Sequence, residues 1–364
     1  MLRYRRASRV ELSKVSGISQ PTVTRIVDQL LAAGILVESH TSLTGMESTW
    51  SQPVGALGRP SKPLELDSSQ ARFIAIQIGV HQTRITPAPL AVSAQDQWTH
   101  SFDTPGSLGE WEQRLQGIWS KLPARGISAV VASLPGVVDE LAGRVLFSPN
   151  LKWSQGADLA AIIRKLSPAP LICIQEIRAL ALGQAAVEPE SSDFLLVDFG
   201  TGVGAAAVTQ GSLYSGPLPL SGELGHTPVP NNARPCGCGS TGCVETLVSR
   251  KGLLQSAAEH HDASTWAELV TLIEQRGLPD WMKRSLDAAA ISIASALNML
   301  GIRQVILTGC ISELPNVAAD YLATAMRADT LWARFGEVGC KVAPRHRLVG
   351  MVIRAIERTL LTAE

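Results

Sequence analysis

Apolar residues near the start of the chain recur at the spacing of two short helices joined by a turn. Leu12 and Val15 belong to the first helix, and Gly17 supplies the turn. Ser19 suits the N-cap of the second helix and Pro21 its first turn. Its predicted buried face consists of Val23, Ile26, Val27, Leu30 and Leu31. The pattern favours a helix-turn-helix, with an ordinary helical hairpin as the alternative.

The opposite face of the second helix is polar, and a helix-turn-helix turns that part of the helix toward the DNA major groove. The side chains expected to contact DNA there are Ser19, Gln20, Thr22, Thr24 and Arg25. Up to Leu36, six basic residues face two acidic ones, a local excess of four positive charges in a chain of zero net charge. Two extended segments follow, 35–38 and 58–66, and predict a β wing.

From residue 73 onward, buried apolar runs alternate with amphipathic helical stretches. Strand-like runs cover 73–79, 127–132, 171–174 and 194–198. Helical stretches cover 108–122, 156–166, 178–187, 281–300 and 348–361. This alternation predicts α/β layers.

A chain of 364 residues that is 45% hydrophobic predicts two or three domains with sizeable cores. No run of 18 apolar residues indicates a membrane span, and no apolar segment follows the basic start. One cysteine cluster plus scattered cysteines suits a reducing compartment. We therefore expect a cytoplasmic protein with no membrane partner.

Three cysteines within eight positions form the strongest chemical signal in the sequence. Cys236, Cys238 and Cys243, with His226 ten positions upstream, are the donors of a closed tetrahedral zinc site. Small buried thiols or a disulfide are the alternative. We call the segment from His226 to Cys243 the knuckle, and Glu223 and Glu245 flank it. Carboxylates beside an oriented histidine suit the hydroxyls of a sugar. The alternative is that the two glutamates only support the metal site or lie at the surface.

The motifs Glu-x-Gly-His and Cys-x-Cys-Gly-x-x-Gly-Cys-x-Glu resemble the signature of the ROK family of repressors and sugar kinases. The resemblance implies a structural zinc on His226, Cys236, Cys238 and Cys243, and sugar contacts from Glu223, His226 and Glu245. It implies a winged helix-turn-helix over 1–70 and a two-lobed, actin-like and ribonuclease H-like body over 71–364. The lobes would cover about 71–170 and 171–364, with the last helix packed back on the first lobe.

The segment Gly-Arg-Pro-x-x-Pro-Leu resembles the wing of ROK repressors, in which the arginine enters the minor groove, a role that falls on Arg59. Family repressors also carry a full helix before the helix-turn-helix. Here about half a dozen residues precede it, so that helix is a stub or translation starts further upstream.

The nucleotide motifs of the kinases are degenerate in this chain. Where the first phosphate loop reads Asp-x-Gly-Gly-Thr-Lys, residues 77–82 read Gln-Ile-Gly-Val-His-Gln. The second loop, 198–204, is better preserved, whereas the adenosine motif retains a single glycine, Gly309. We therefore expect the chain not to be an enzyme.

The sugar side is better preserved. Asn150 lies in a matching Pro-Asn-Leu segment, where the family's asparagine holds a sugar hydroxyl. Gln175 and Glu176 replace the kinases' Asn-Asp, whose aspartate is the catalytic base, and each is one methylene longer. Both are expected to contact a sugar without catalysis; a solvated helix N-terminus is the alternative for Glu176.

These features predict a ROK transcriptional regulator, in the repressor branch, that senses a sugar or sugar derivative without phosphorylating it. A dimer or tetramer on a palindromic operator fits this role. Two alternatives remain at this point. One is a ROK sugar kinase of the glucokinase or N-acetylhexosamine kinase type with a DNA-binding extension, and the other is a body that has lost its ligand and only dimerises or docks a partner.

Overall fold

The computed structural model describes residues 6–39, 62–92, 98–123, 125–216 and 222–361. Within these ranges the chain begins with a small winged unit, whose elements are β1 (Arg6–Ala7), α1 (Arg9–Ser16), α2 (Gln20–Ala32), β2 (Leu36–Glu38) and β3 (Leu64–Leu66). The three strands form an antiparallel sheet in the order β1-β3-β2. Val23 and Val27 of α2 pack on Leu36 and Leu64 and form its core.

The predicted helix, turn and helix are confirmed, with two local differences. Gly17 has a φ of 68° and ends α1 in the left-handed conformation that glycine adopts without strain. Ser19 is the N-cap residue of α2, but its hydroxyl meets the Thr22 hydroxyl at 2.9 Å instead of a backbone N–H. The prediction that Ile26 is buried is wrong, because α2 buries only a narrow stripe and Ile26 remains 36% exposed.

The first lobe is built on a mixed five-stranded sheet. Its elements are β4 (Phe73–Ile78), β5 (Gln82–Ala88), β6 (His100–Asp103), α3 (Leu108–Trp119), β7 (Ala129–Leu134), β8 (Val137–Asp139), β9 (Arg144–Phe147), α4 (Leu159–Leu166) and β10 (Leu171–Gln175). The strand order is β10-β7-β4-β5-β6, with β10, β7 and β4 parallel and β5 and β6 antiparallel.

The second lobe repeats this arrangement. Its elements are α5 (Glu176–Val187), β11 (Phe194–Phe199), β12 (Val203–Thr209), β13 (Ser212–Leu213), α6 (Glu245–Val248), α7 (Arg250–Glu259), α8 (Trp266–Arg276), α9 (Asp280–Leu300), β14 (Gln304–Gly309), α10 (Asn316–Asp329), β15 (Gly339–Val342) and α11 (Arg347–Ile356), which continues as a π-helical turn. The order β13-β12-β11-β14-β15 again joins a hairpin to parallel strands.

Because the two sheets share one topology, the β4-β5 turn and the β11-β12 turn occupy equivalent places, and both line the same cavity between the lobes. The α/β body predicted from the sequence is confirmed, but its sheets are mixed. The hairpin partners β5 and β6 were not predicted. In β5, threonines, Arg84 and Pro87 interrupt the apolar pattern on which the strand predictions relied.

The last helix crosses from the second lobe to the first. Met351 and Val352 of α11 pack with Phe73 of β4 and Val131 of β7 in one buried cluster. The same helix lies tightly against α5, where a Cβ at Gly350 would collide with the carbonyl oxygen of Ala179. No helix in the described part of the chain is long and apolar enough to cross a membrane.

This contact leads to a matched pair of substitutions. Gly350→Ala is expected to lower the free energy of unfolding by about 1–3 kcal/mol or more, because the added methyl group overpacks the α5-α11 contact. Gly117→Ala, in α3 with open space around it, is expected to raise that energy by about 0.5–1 kcal/mol. Urea denaturation measures both, and equal effects of the two changes would contradict the packing described here.

Candidate functional site

A cavity of about 390 Å³ lies between the two lobes, within the usual size range of small-molecule sites. The β4-β5 turn, the β11-β12 turn and the segment before α11 line it. Its lining includes all six residues predicted to contact a sugar, namely Asn150, Gln175, Glu176, Glu223, His226 and Glu245. The fold thus brings together side chains that are up to 95 positions apart, counted from Asn150 to Glu245.

The four predicted metal ligands converge beside this cavity. One donor atom from each of His226, Cys236, Cys238 and Cys243 lies within 4.8 Å of all the others. The Sγ atoms of Cys238 and Cys243 are 3.7 Å apart, and Cys236 Sγ is 3.6 Å from His226 Nδ1. Two donors on one tetrahedral zinc stand roughly 3.8 Å apart. The spacing of these two pairs therefore suits such an ion.

Binding of a cation at this cluster would be coupled to the loss of the thiol protons. Burial and the neighbouring Cys236 and Cys238 sulfurs raise the pKa of the Cys243 thiol to about 12. Burial likewise raises the pKa of Cys236. Because thiolates crowded in this way repel one another, a bound cation is what lets them lose their protons together.

Glu245 connects the knuckle to the β11-β12 turn. It is the first residue of α6 and is buried, and its Oε2 accepts a hydrogen bond from the backbone N–H of Val203 at 2.8 Å. Gly202 allows this approach, since a Cβ there would lie 2.5 Å from Glu245 Oε2 and 3.1 Å from Asn150 Nδ2. The carboxylate and the amide therefore face one small opening, where both can bind hydroxyls.

Glu223 lies on the other side of His226. Its Oε2 is 3.7 Å from His226 Nε2, while its Oε1 accepts a hydrogen bond of 3.1 Å from Gln175 Nε2. Burial raises the pKa of Glu223, and His226 and Gln175 partly offset that effect. His226 thus faces the thiols with Nδ1 and the cavity carboxylate with Nε2.

Two arginines that were not predicted from the sequence line the cavity at the start of α11, Arg345 just before the helix and Arg347 as its first residue. The buried Arg347 pairs with Glu176. Arg345 forms a two-point pair with Asp198 at 2.7 and 2.9 Å, and the Thr308 hydroxyl also donates to Asp198. The partners in these two pairs are 147 and 171 residues apart in the sequence, so no local sequence pattern predicts them.

The predicted DNA-contacting residues lie at the start of α2. Gln20, Thr24 and Arg25 are exposed, whereas Ser19 and Thr22 bond to each other through their hydroxyls. Arg59 lies outside the described residues. Two of the six basic residues counted above are paired within the unit, since Arg9 contacts Asp28 and Glu38, and Arg6 contacts Glu65. The positive charge left for DNA is therefore smaller than the sequence count indicates.

Comparisons with known proteins agree with this geometry. The model of the ROK family matches residues 74–345. The xylose repressor of Caldicellulosiruptor bescii is 26% identical over 259 residues, 68% of this chain and 61% of that protein. An N-acetylmannosamine kinase of Shigella boydii is 30% identical over 187 residues, 50% of this chain and 63% of the kinase. In both cases the match spans less than two thirds of the relative's length.

Among solved structures, a ROK family transcriptional regulator described as a homolog of the E. coli MLC protein superposes with a TM-score of 0.74. The superposition covers 98% of this chain and 93% of the regulator at 20% identity, which shows a shared fold.

The knuckle leads to a test of its donor set. Cys238→Ser is expected to reduce bound zinc from about one ion per chain to nearly none, because a tetrahedral site loses a thiolate. Elemental analysis of the purified variant measures this. Cys340→Ser, which removes a half-buried thiol outside the cluster, serves as the control and should retain the metal. Unchanged zinc in Cys238→Ser would contradict the proposed ligand set.

Proposed function

The chain belongs to the ROK family, and on that premise we propose that it is a DNA-binding transcriptional repressor that senses a sugar without phosphorylating it. One observation carries the proposal. Glu176, at the position of the family's catalytic base, is held by the buried guanidinium of Arg347, on a chain that also carries a helix-turn-helix. In this pair the guanidinium, and not a sugar hydroxyl, occupies Glu176 Oε1.

The nucleotide side of the cavity gives further support. Gln77 stands in the place of the acidic residue of the first phosphate loop, and Val80 in the place of its second glycine. A Cβ at Gly200 would lie 2.9 Å from Arg345 Nη2, and one at Gly309 2.6 Å from it. The Arg345 guanidinium therefore lies between the two glycine turns that correspond to the family's nucleotide motifs, where Asp198 holds it.

The sugar side supports sensing. Asn150, Glu223, His226 and Glu245 form one cluster of hydroxyl-binding groups at the knuckle. Buried polar groups of this kind discriminate strongly, because a ligand that lacks the matching hydroxyl leaves them unpaired. The similarity to a xylose repressor supports the same class of effector.

The remaining parts of the proposal follow from this role. A structural zinc on His226, Cys236, Cys238 and Cys243 holds the knuckle closed. Operator DNA is the macromolecular partner, bound in the cytoplasm by a homodimer or homotetramer on a palindromic site. The winged unit is residues 1–70 and the body is 71–364. The sugar would bind one lobe arrangement more tightly and so change the spacing of two DNA-binding units.

A sugar kinase is the second candidate, because the Shigella boydii N-acetylmannosamine kinase is among the relatives. Its match covers half of this chain. Loss of the acidic residue at Gln77 and the pairing of Glu176 with Arg347 weigh against it.

Phosphoryl transfer can be tested directly. With ATP, magnesium and a panel of hexoses and N-acetylated hexosamines, ADP release is expected to stay at the level of the protein-free control. The reason is that the base position is paired and the phosphate loop lacks its acidic residue. Turnover of roughly 1–100 per second would establish the kinase instead.

DNA binding can be tested at α2 and the wing. Arg25→Ala and Arg59→Ala are each expected to weaken binding about tenfold on DNA fragments that the wild-type protein selects, because each removes a charged contact. Fluorescence anisotropy measures the affinity. Arg114→Ala, an exposed arginine of α3, should bind like the wild type. If Arg25→Ala and Arg59→Ala also match the wild type, the DNA-facing surface is misassigned.

A further inference from the structure

The two ends of the cavity differ in charge. At the knuckle end, Glu223 and Glu245 line it together with neutral hydroxyl-binding groups. At the far end, three guanidinium groups line it, those of Arg84, Arg345 and Arg347. Arg347 lies within electrostatic range of the other two arginines, and also of Glu176 and Asp198. Three positive charges against two negative ones leave an excess of one at this end.

Arg345 retains donors that its pair with Asp198 does not use. Its Nε and Nη2 donate to the Asp198 carboxylate, while its Nη1 has no hydrogen-bond partner among the described residues. The side chain is 38% exposed. It can therefore donate to a ligand and keep its structural pair intact, and the pair fixes the direction in which the guanidinium points.

Of the other two arginines, Arg84 is available to a ligand. It is exposed, and its Nε donates to Gln82 at 2.8 Å. Arg347 is buried and paired with Glu176, so it adds positive charge at this end of the cavity without contacting a ligand directly.

The β11-β12 turn measures the distance between the two ends. Arg345 lies against Gly200, and the Glu245 carboxylate and Asn150 amide lie against Gly202. Two residues span at most about 7 Å, and here the Gly200 N–H donates to the Gly202 carbonyl oxygen at 2.8 Å, so the turn is tight. One molecule of the size of a monosaccharide can therefore reach both ends, with hydroxyls at the knuckle and a charged group at Arg345.

We propose that the effector is a sugar that carries an anionic group, a phosphate monoester or a carboxylate. Its ring hydroxyls bind Asn150, Glu223 and Glu245, and its anionic group binds Arg345 and Arg84. The inference rests on the proposed sugar sensing and names the chemical class of the sugar. The basic end of the cavity then binds a phosphorylated or acidic sugar more tightly than the neutral parent sugar, because only the former carries a negative charge.

Matched ligand pairs on the full chain test this inference by titration calorimetry. The probes are glucose, glucose 6-phosphate and glucuronate, with N-acetylglucosamine and N-acetylmannosamine and their 6-phosphates, and inorganic phosphate alone. At least one anionic sugar is expected to bind about tenfold or more tightly than its neutral parent, as charge-assisted hydrogen bonds allow. Comparison of the phosphates with glucuronate identifies the anion.

Two variants test whether the arginines cause the preference for the anionic sugar. Arg84→Gln is expected to remove most of the preference for the anionic form and to leave affinity for the neutral sugar nearly unchanged. Arg345→Gln is expected to remove most of that preference as well. Arg84 is exposed and makes no ion pair among the described residues, so Arg84→Gln keeps the test valid even if Arg345→Gln unfolds. Arg114→Gln, which replaces a surface arginine of α3, is the control.

The outcomes separate the inference from the proposed function. Neutral and anionic forms that bind equally, with no effect of either variant, would overturn the inference and leave sugar sensing in place. Inorganic phosphate that binds as tightly as a sugar phosphate would also overturn it, because the site would then be a free-anion site. If no sugar binds in either form, sugar sensing and the inference both fail.

Discussion

One imidazole ring joins the cysteine cluster to the cavity. His226 directs Nδ1 toward Cys236 Sγ at 3.6 Å and Nε2 toward Glu223 at 3.7 Å. Glu245 follows Cys243 by two residues and is fixed by the same knuckle against the β11-β12 turn. The positions of the hydroxyl-binding groups therefore depend on the closure of a short loop around its donors.

The cavity also depends on two arginines at the start of α11, Arg345 just before the helix and Arg347 as its first residue. Arg345 holds Asp198 at the end of β11, and Arg347 holds Glu176 at the start of α5. Removal of one partner of a buried ion pair lowers the stability of the fold strongly, because the remaining charge is left uncompensated. The pairs tie the last helix, which packs on the first sheet, to the second lobe.

The sequence predicted some parts of the structure better than others for physical reasons. The knuckle is local, with all four donors between His226 and Cys243, so spacing alone was enough to find it. Long strands and helices with strong apolar periodicity were also found. The Arg345 and Arg347 pairs connect distant segments and have no periodic signature, and Ile26 fits a helical stripe that the small core of the winged unit is too narrow to cover.

X-ray absorption at the zinc edge of the purified protein tests whether the knuckle holds zinc through its four donors, because it reports the atoms bound to the metal. The account predicts three sulfur ligands at about 2.3 Å and one nitrogen at about 2.0–2.1 Å, as expected for Cys236, Cys238, Cys243 and His226. Protein without zinc, or zinc surrounded by oxygen and nitrogen alone, would contradict it.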